Sequence, residues 1–429
     1  MRKTVLALLV SAFLLAAMTA AAQEGQPGID ELKKTALKVY LDCDSCDLAY
    51  IKTEITFVNY VRDRLEAQVH VLITTQATGG GGREYTLTFM GQNNCKDLTD
   101  VQKYFSMKSD TEDDVRRGLV KTLKLGLMTF VGRTPISRRI AVDYSRPDAA
   151  GPGRDRWNSW VFSLTGSGYF SGEETYMNRM VDASFSANRI TPKSKVRLGM
   201  SVDASKTRYD IDDEIITGTK SSWNGSGLYV KSLGEHWSAG VSFEAESSLY
   251  SNIDLGVSAA PALEYNVFPY SQSTRRQLRL LYTLTLNPVK YREATVFGKT
   301  RETLFKESLA AALDLREKWG TISVSAEGSH YFHDLSKYHV DTFGIVNLRL
   351  YKGFSVFVLG GYSWVHDQIS LLGREPTFEE QLLRLRELPM NSNYFVSFGF
   401  QFTFGSIFTN VINPRFGSSG SGGMSISIQ

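Results

Sequence analysis

"NYFVSFGFQFTF", residues 393–404, places Phe398, Phe400, Phe402 and Phe404 at every second position, with Ser397, Gly399, Gln401 and Thr403 between them. A period of two belongs to a β-strand, whose successive side chains point to opposite faces of a sheet. One face of this strand is aromatic and the other small and polar. A soluble sandwich would bury the rings in its core. An outer-membrane barrel would turn them to lipid and line its lumen with the polar set.

The same alternation fills the second half of the chain. "KVRLGMSVDASK" sets Val196, Leu198, Met200 and Val202 against Arg197, Gly199, Ser201 and Asp203, and "WSAGVSFEAE" sets Trp237, Ala239, Val241 and Phe243 against Ser238, Gly240, Ser242 and Glu244. "RQLRLLYTLTL" does the same, except that Leu281 interrupts its polar face. Strands are expected to start near residues 157, 176, 194, 219, 236, 253, 274, 301, 320, 338, 353 and 393. An even count suits a single-chain outer-membrane barrel. Short turns at 191–194, 233–236, 317–320 and 351–354 alternate with longer polar loops expected around 208–219, 290–300 and 366–392. Residues 301–319 fit a helix by propensity and a strand by alternation.

On this reading Phe398, Phe400, Phe402 and Phe404 face lipid. Arg197, Asp203, Glu244, Arg279, Asp314 and Arg349 are expected in the lumen. Aromatic residues near strand ends, among them Trp160, Tyr169, Trp237, Trp319, Tyr351 and Trp364, are placed where interfacial girdles would sit.

Across its 429 residues the chain is 42% hydrophobic and carries a net charge of +3 from 48 basic and 45 acidic side chains. So balanced a charge gives no footing for nucleic-acid binding. The opening "MRKTVLALLVSAFLLAAMTAAAQ" has a basic start, an apolar run and small residues before Gln23, the pattern of a secretory signal over 1–22.

Residues 23–145 have a different grammar. "ALKVYLD" reads as a strand, "QVHVLITTQAT" and "REYTLTFMG" as a hairpin turned by "GGGG" at 79–82, and "DTEDDVRRGLVKTLKLGLMTFV" as a helix with Val115, Leu119, Leu123 and Leu127 on one face. A shorter helix is expected within 47–64. The hairpin followed by this closing helix resembles the small N-terminal domain of the Tol system's periplasmic propeller protein, over about a quarter of the chain. The resemblance implies a periplasmic interaction domain. A Pro/Gly-rich linker spans 146–156, the barrel 157–416 and a tail 417–429. The aromatic end of the last strand resembles the signal that outer-membrane assembly machinery reads, although this chain continues past Phe416.

Candidate chemistry is sparse. Cys43 and Cys46 form a CxxC among Asp42, Asp44 and Asp47, which disfavour a thiolate, so a structural disulfide is expected, with Cys95 an alternative partner for either. The glycines at 79–82 sit between strands and not before a helix, which disfavours a phosphate loop. His330, His333, His339 and His366, with Ser336 and Ser370, are the residues from which a lipid hydrolase or a weak metal site could be built. The His/Ser spacing followed by Asn-Gly of the barrel phospholipases is absent. The expectation is therefore an α+β domain followed by an all-β antiparallel transmembrane barrel of about 12 strands. It would act as a narrow channel or envelope scaffold, with no cofactor and no catalytic or metal residues, and with outer-membrane lipids and a periplasmic protein as partners. The rivals are a lipid-modifying hydrolase and a secreted soluble β-rich binding protein.

Overall fold

The computed structural model describes residues 36–141, 155–211, 214–406 and 408–410. The expected signal segment 1–22, most of the expected linker and the expected tail 417–429 lie outside the described residues.

The N-terminal region folds as β1 (Lys38–Asp42), α1 (Leu48–Glu54), β2 (Asn59–Tyr60), β3 (Val69–Ala77), β4 (Arg83–Gly91), β5 (Thr99–Ser106) and α2 (Glu112–Val131). The sheet order is β2-β1-β3-β4-β5, with β1 parallel to both of its neighbours. Thr111 starts α2 through a capping box with Asp114, and three acids in the first turn face the positive end of the helix dipole. Leu119, Leu123, Leu127 and Phe130 of α2 then bury against Val39, Val71, Leu87 and Phe89. Each fully buried side chain of this kind contributes about 1.5–3 kcal/mol. Gly126 permits the contact, because a Cβ there would lie 2.2 Å from the Phe89 ring.

The helix expected within 47–64 stops at Glu54. The following "ITFVNY" is rich in strand-forming residues and finds backbone partners on β1, with Asn59 N donating to Leu37 O at 2.8 Å and Val61 N to Val39 O at 2.9 Å. Strand β5 was not anticipated, although it alternates.

The second region consists of β6 (Trp160–Gly172), β7 (Tyr176–Ile190), β8 (Ser194–Ile211), β9 (Glu214–Ser232), β10 (Trp237–Ser248), β11 (Ile253–Asn266), β12 (Arg276–Tyr291), β13 (Arg301–Glu317), β14 (Gly320–Tyr331), β15 (Asp334–Tyr351), β16 (Phe354–Val365) and β17 (Ser392–Phe402). These twelve strands form one antiparallel barrel sheet, ordered as in the sequence from β6 to β17. The ambiguous 301–319 segment is strand β13, laddered to β12 and β14. The polar loop expected at 208–219 is instead a continuation of β8 and β9, paired as far as Ile211 and Glu214.

The N-terminal domain reveals the curl of the sheet. Twelve strands laid flat would spread over roughly 50 Å at the usual strand spacing. Yet the one domain reaches β6, where Lys108 Nζ donates to Ser163 Oγ, and β15, where Arg349 pairs with Asp42. With Phe408, just beyond β17, bridged to Val61 of the domain, both ends of the sheet come round to the same small domain. It sits at the end that carries the short turns β7–β8, β9–β10, β13–β14 and β15–β16. In the last of these, Gly353 holds φ at +67°, and a Cβ would lie 1.9 Å from Thr403 O.

Candidate functional site: the lumen and its two covers

Alternation sorts the barrel's side chains. Phe398, Phe400, Phe402 and Phe404 project from the outer face with relative exposures of 78%, 72%, 54% and 78%, and Leu164 on β6 reaches 82%. In register beside them are Val358, Val356 and Phe354 of β16. On the opposite face Asp203 accepts from Ser222 Oγ, Glu244 lies across from Ser226, and Asp314 accepts from Ser323 Oγ at 2.7 Å. Arg197 and Arg279 line the lumen close to the domain, and Arg279 Nε stands 3.8 Å from Glu264. Arg349 lies at the rim and is engaged by the domain.

That engagement forms the first cover. The helices occupy one face of the five-stranded sheet. The other face, with Tyr40, Asp42, Leu72 and Thr74, lies against Arg316, Asn347, Arg349 and Gln401 at the barrel mouth. Asp42 is buried and takes a bidentate contact from Arg349, with Nη2 to Oδ1 at 2.6 Å and Nη1 to Oδ2. His70, fully buried, donates from Nε2 to the same carboxylate at 2.9 Å, while its Nδ1 has no partner. Burial pushes the His70 imidazole below its ordinary pKa, against the pull of Asp42. Burial works to raise Asp42, but the hydrogen bonds from His70 and Arg349 prevail and hold it below the usual carboxylate range. Around this pair Gly353 N donates to Asp63 Oδ2 at 2.7 Å, Lys352 pairs with Glu66, and the β3–β4 turn touches Ile190. The chain beyond β17 also returns to the domain. Phe408 bridges Val61, Thr409 N donates to Tyr60 O at 2.9 Å, and Tyr60 N donates to Asn410 Oδ1 at 2.6 Å.

The second cover is the segment 366–391 at the opposite mouth. It leaves β16, forms the short helix α3 (Phe378–Leu382) and crosses to loops on the far side of the barrel. Val296 N donates to Leu371 O and Gly373 N to Ala294 O, both at 2.9 Å. Asn252 Nδ2 donates to Ser370 O at 3.0 Å. Arg374 lies between Glu293 and Glu380, at 2.8 Å from each, and Arg386 reaches Glu293 at 2.8 Å. The Arg374 hydrogen bond is the main reason the Glu380 carboxyl is held down to about 2.

The remaining sequence candidates lie apart. His339 is held between Asp341 and Asp367 at 2.9 Å from each, His330 meets Glu307 at 2.8 Å, and the His366 ring stacks on Tyr338. Ser336 is bound to Asp334. Among the described residues none of these histidines has a serine hydroxyl at hydrogen-bonding distance, and no three His, Cys, Asp or Glu side chains converge on a metal position. Cys43 and Cys46 are joined to each other, and Cys95 is free. Sequence reasoning missed Asp42 and His70 as a pair, because their common partner lies in another region of the chain.

No family model matches the chain, and no curated protein matches it. Among solved structures it is similar to the NanC porin, at 10% identity and a TM-score of 0.28 over 56% of this chain and 99% of that one. It is also similar to the beta domain of the Bordetella autotransporter BrkA, at 11% identity and a TM-score of 0.25 over 57% of this chain and 98% of that one. Likeness this loose bears no argument about function.

Proposed function

We propose that the chain is an outer-membrane β-barrel plugged from the periplasmic side by its own N-terminal domain, and that small solutes pass only when a cover moves. The observation that carries this reading is the docking of the domain's open sheet face on one mouth while segment 366–391 crosses the other. The apolar outer face supports the membrane setting, because a belt of leucines and phenylalanines this exposed is unstable in water and at rest in hydrocarbon. No helix among the described residues is long and apolar enough to cross a membrane.

Single-channel recording in planar bilayers tests it. The full chain should be silent or rarely open, and a full-length variant carrying Arg349→Ala and Lys352→Ala should open more often. Steady conductance from the unaltered chain would refute the plug.

A second reading, an envelope scaffold, draws on β5. This edge strand exposes Val101 at 51% and Phe105 at 58% and, among the described residues, has no partner strand on its outer side. The resemblance of the domain to the Tol propeller's N-terminal domain points the same way. Pull-down of envelope proteins by the full chain, lost on Phe105→Asp with conductance unaltered, would favour it.

A further inference from the structure

Charge along the lumen is uneven, with Lys220 and Lys306 among the bases on the lumen face of the half away from the domain. The basic side chains Lys195, Arg197, Arg275, Arg279 and Arg316 cluster at the domain end, around a cavity of about 660 Å³ whose floor is Thr75 and Gln76 from β3. The acids Asp182, Asp203, Glu244 and Glu327 stand farther along their strands, away from the domain.

Most of the acid near the cavity is already committed. Glu264 accepts from Tyr270 Oη at 2.8 Å and is the carboxylate nearest Arg279. Asp314 takes a hydrogen bond from Ser323, and Glu317 is shared between Arg275 and Arg276. Lys195, Arg197 and Arg316 have no carboxylate at ion-pair distance among the described residues, and Arg275 Nε is buried without a hydrogen-bond partner. Lys195, Arg197 and Arg316, like charges around one cavity, repel each other, and an anion placed among them offsets that repulsion. Guanidinium groups also present paired donors that match carboxylate and phosphate oxygens.

We infer that this cavity is a binding site for a small polyanion carrying two or more carboxylate or phosphate groups. The inference deepens the plugged-barrel reading and rests on it for the ligand's route, since the floor of the cavity belongs to the plug. A ligand there touches barrel and domain together, so its arrival or departure is coupled to docking.

The test is calorimetric titration of the detergent-purified full chain with citrate, with pyrophosphate and with glycerol as a neutral control. Citrate, pyrophosphate or both should bind, more weakly as salt rises, and glycerol should not. Heat from citrate alone assigns a carboxylate ligand, and heat from pyrophosphate alone a phosphate ligand. The Arg197→Gln, Arg316→Gln double variant should lose about tenfold or more in affinity. Its fold is checked by the shift in gel migration on boiling, and Lys195→Gln serves if the double variant misfolds. Absence of heat from both anions, or unchanged affinity in a folded variant, overturns the inference. Binding is read without a membrane or a current, so a failed conductance experiment would remove the plug reading and leave the site standing.

Discussion

The N-terminal domain and the barrel solve the burial problem in opposite directions. In the domain Leu37, Val39, Leu87, Phe89, Leu123 and Leu127 are almost wholly hidden, and polar side chains cover them. In the barrel the large apolar side chains are the exposed ones and the hydroxyls and charges turn inward. The same chemical preference acts in both, with a different solvent outside. A leucine or phenylalanine is therefore diagnostic of the medium only together with its period, 3.6 or mixed in the domain and two in the barrel.

Substitutions of one residue type should separate the two regions. Phe89→Ala is expected to cost the domain about 4 kcal/mol, seen as a lower urea midpoint for a probe in the domain while the barrel keeps its resistance to denaturing detergent. Phe400→Arg is expected to cost about 3 kcal/mol if that face meets hydrocarbon, read as impaired refolding into lipid vesicles. An unimpaired barrel would place the ring row in water and break the comparison.

The seam between the regions responds next. Arg349→Ala leaves Asp42 buried without its charged partner, and the docked state should lose about 2 kcal/mol after allowance for the partly exposed arginine. Faster release of the domain by limited proteolysis between domain and barrel would report it.

Docking should also depend on pH, and both groups act with the same sign. His70 is below its ordinary pKa when docked, so the released domain binds a proton more readily as pH falls through about 6.5. Asp42 is likewise below its ordinary value when docked, which extends the loss through the carboxylate range and down to the docked pKa. Proteolytic release should therefore accelerate from about pH 6.5 downward, and His70→Asn should remove the upper limb of that curve. The smallest effect is expected at the other cover. Glu380→Gln weakens the contacts with the exposed Arg374 and the buried Arg386, by about 1 kcal/mol, and should raise protease cutting within 366–391.

The barrel was legible from sequence because each of its strands carries its own evidence. Alternation of side chains is local, and the expected starts at 176, 194, 253, 301 and 320 coincide with β7, β8, β11, β13 and β14. The polar stretch 208–219 reads as a loop because its acids, threonines and glycine show no clean alternation, yet β8 and β9 pair through it as far as Ile211 and Glu214. The covers were illegible for another reason. Asp42 and Arg349 are separated by 307 positions, and nothing near either residue announces the other. The basic cavity is hidden in the same way, since its arginines come from β8, β12, β13 and the turn before β12, and its floor from a hairpin in a different region.

The return of residues 408–410 to β2 gives the molecule an order of assembly. The domain is synthesised first, but the outer edge of its sheet is finished only by residues that follow the twelfth strand. Its last backbone partners are thus withheld until the barrel has been threaded to its end. A chain cut short before Phe408 should therefore present the edge at β2 as an open strand, free to pair with another chain.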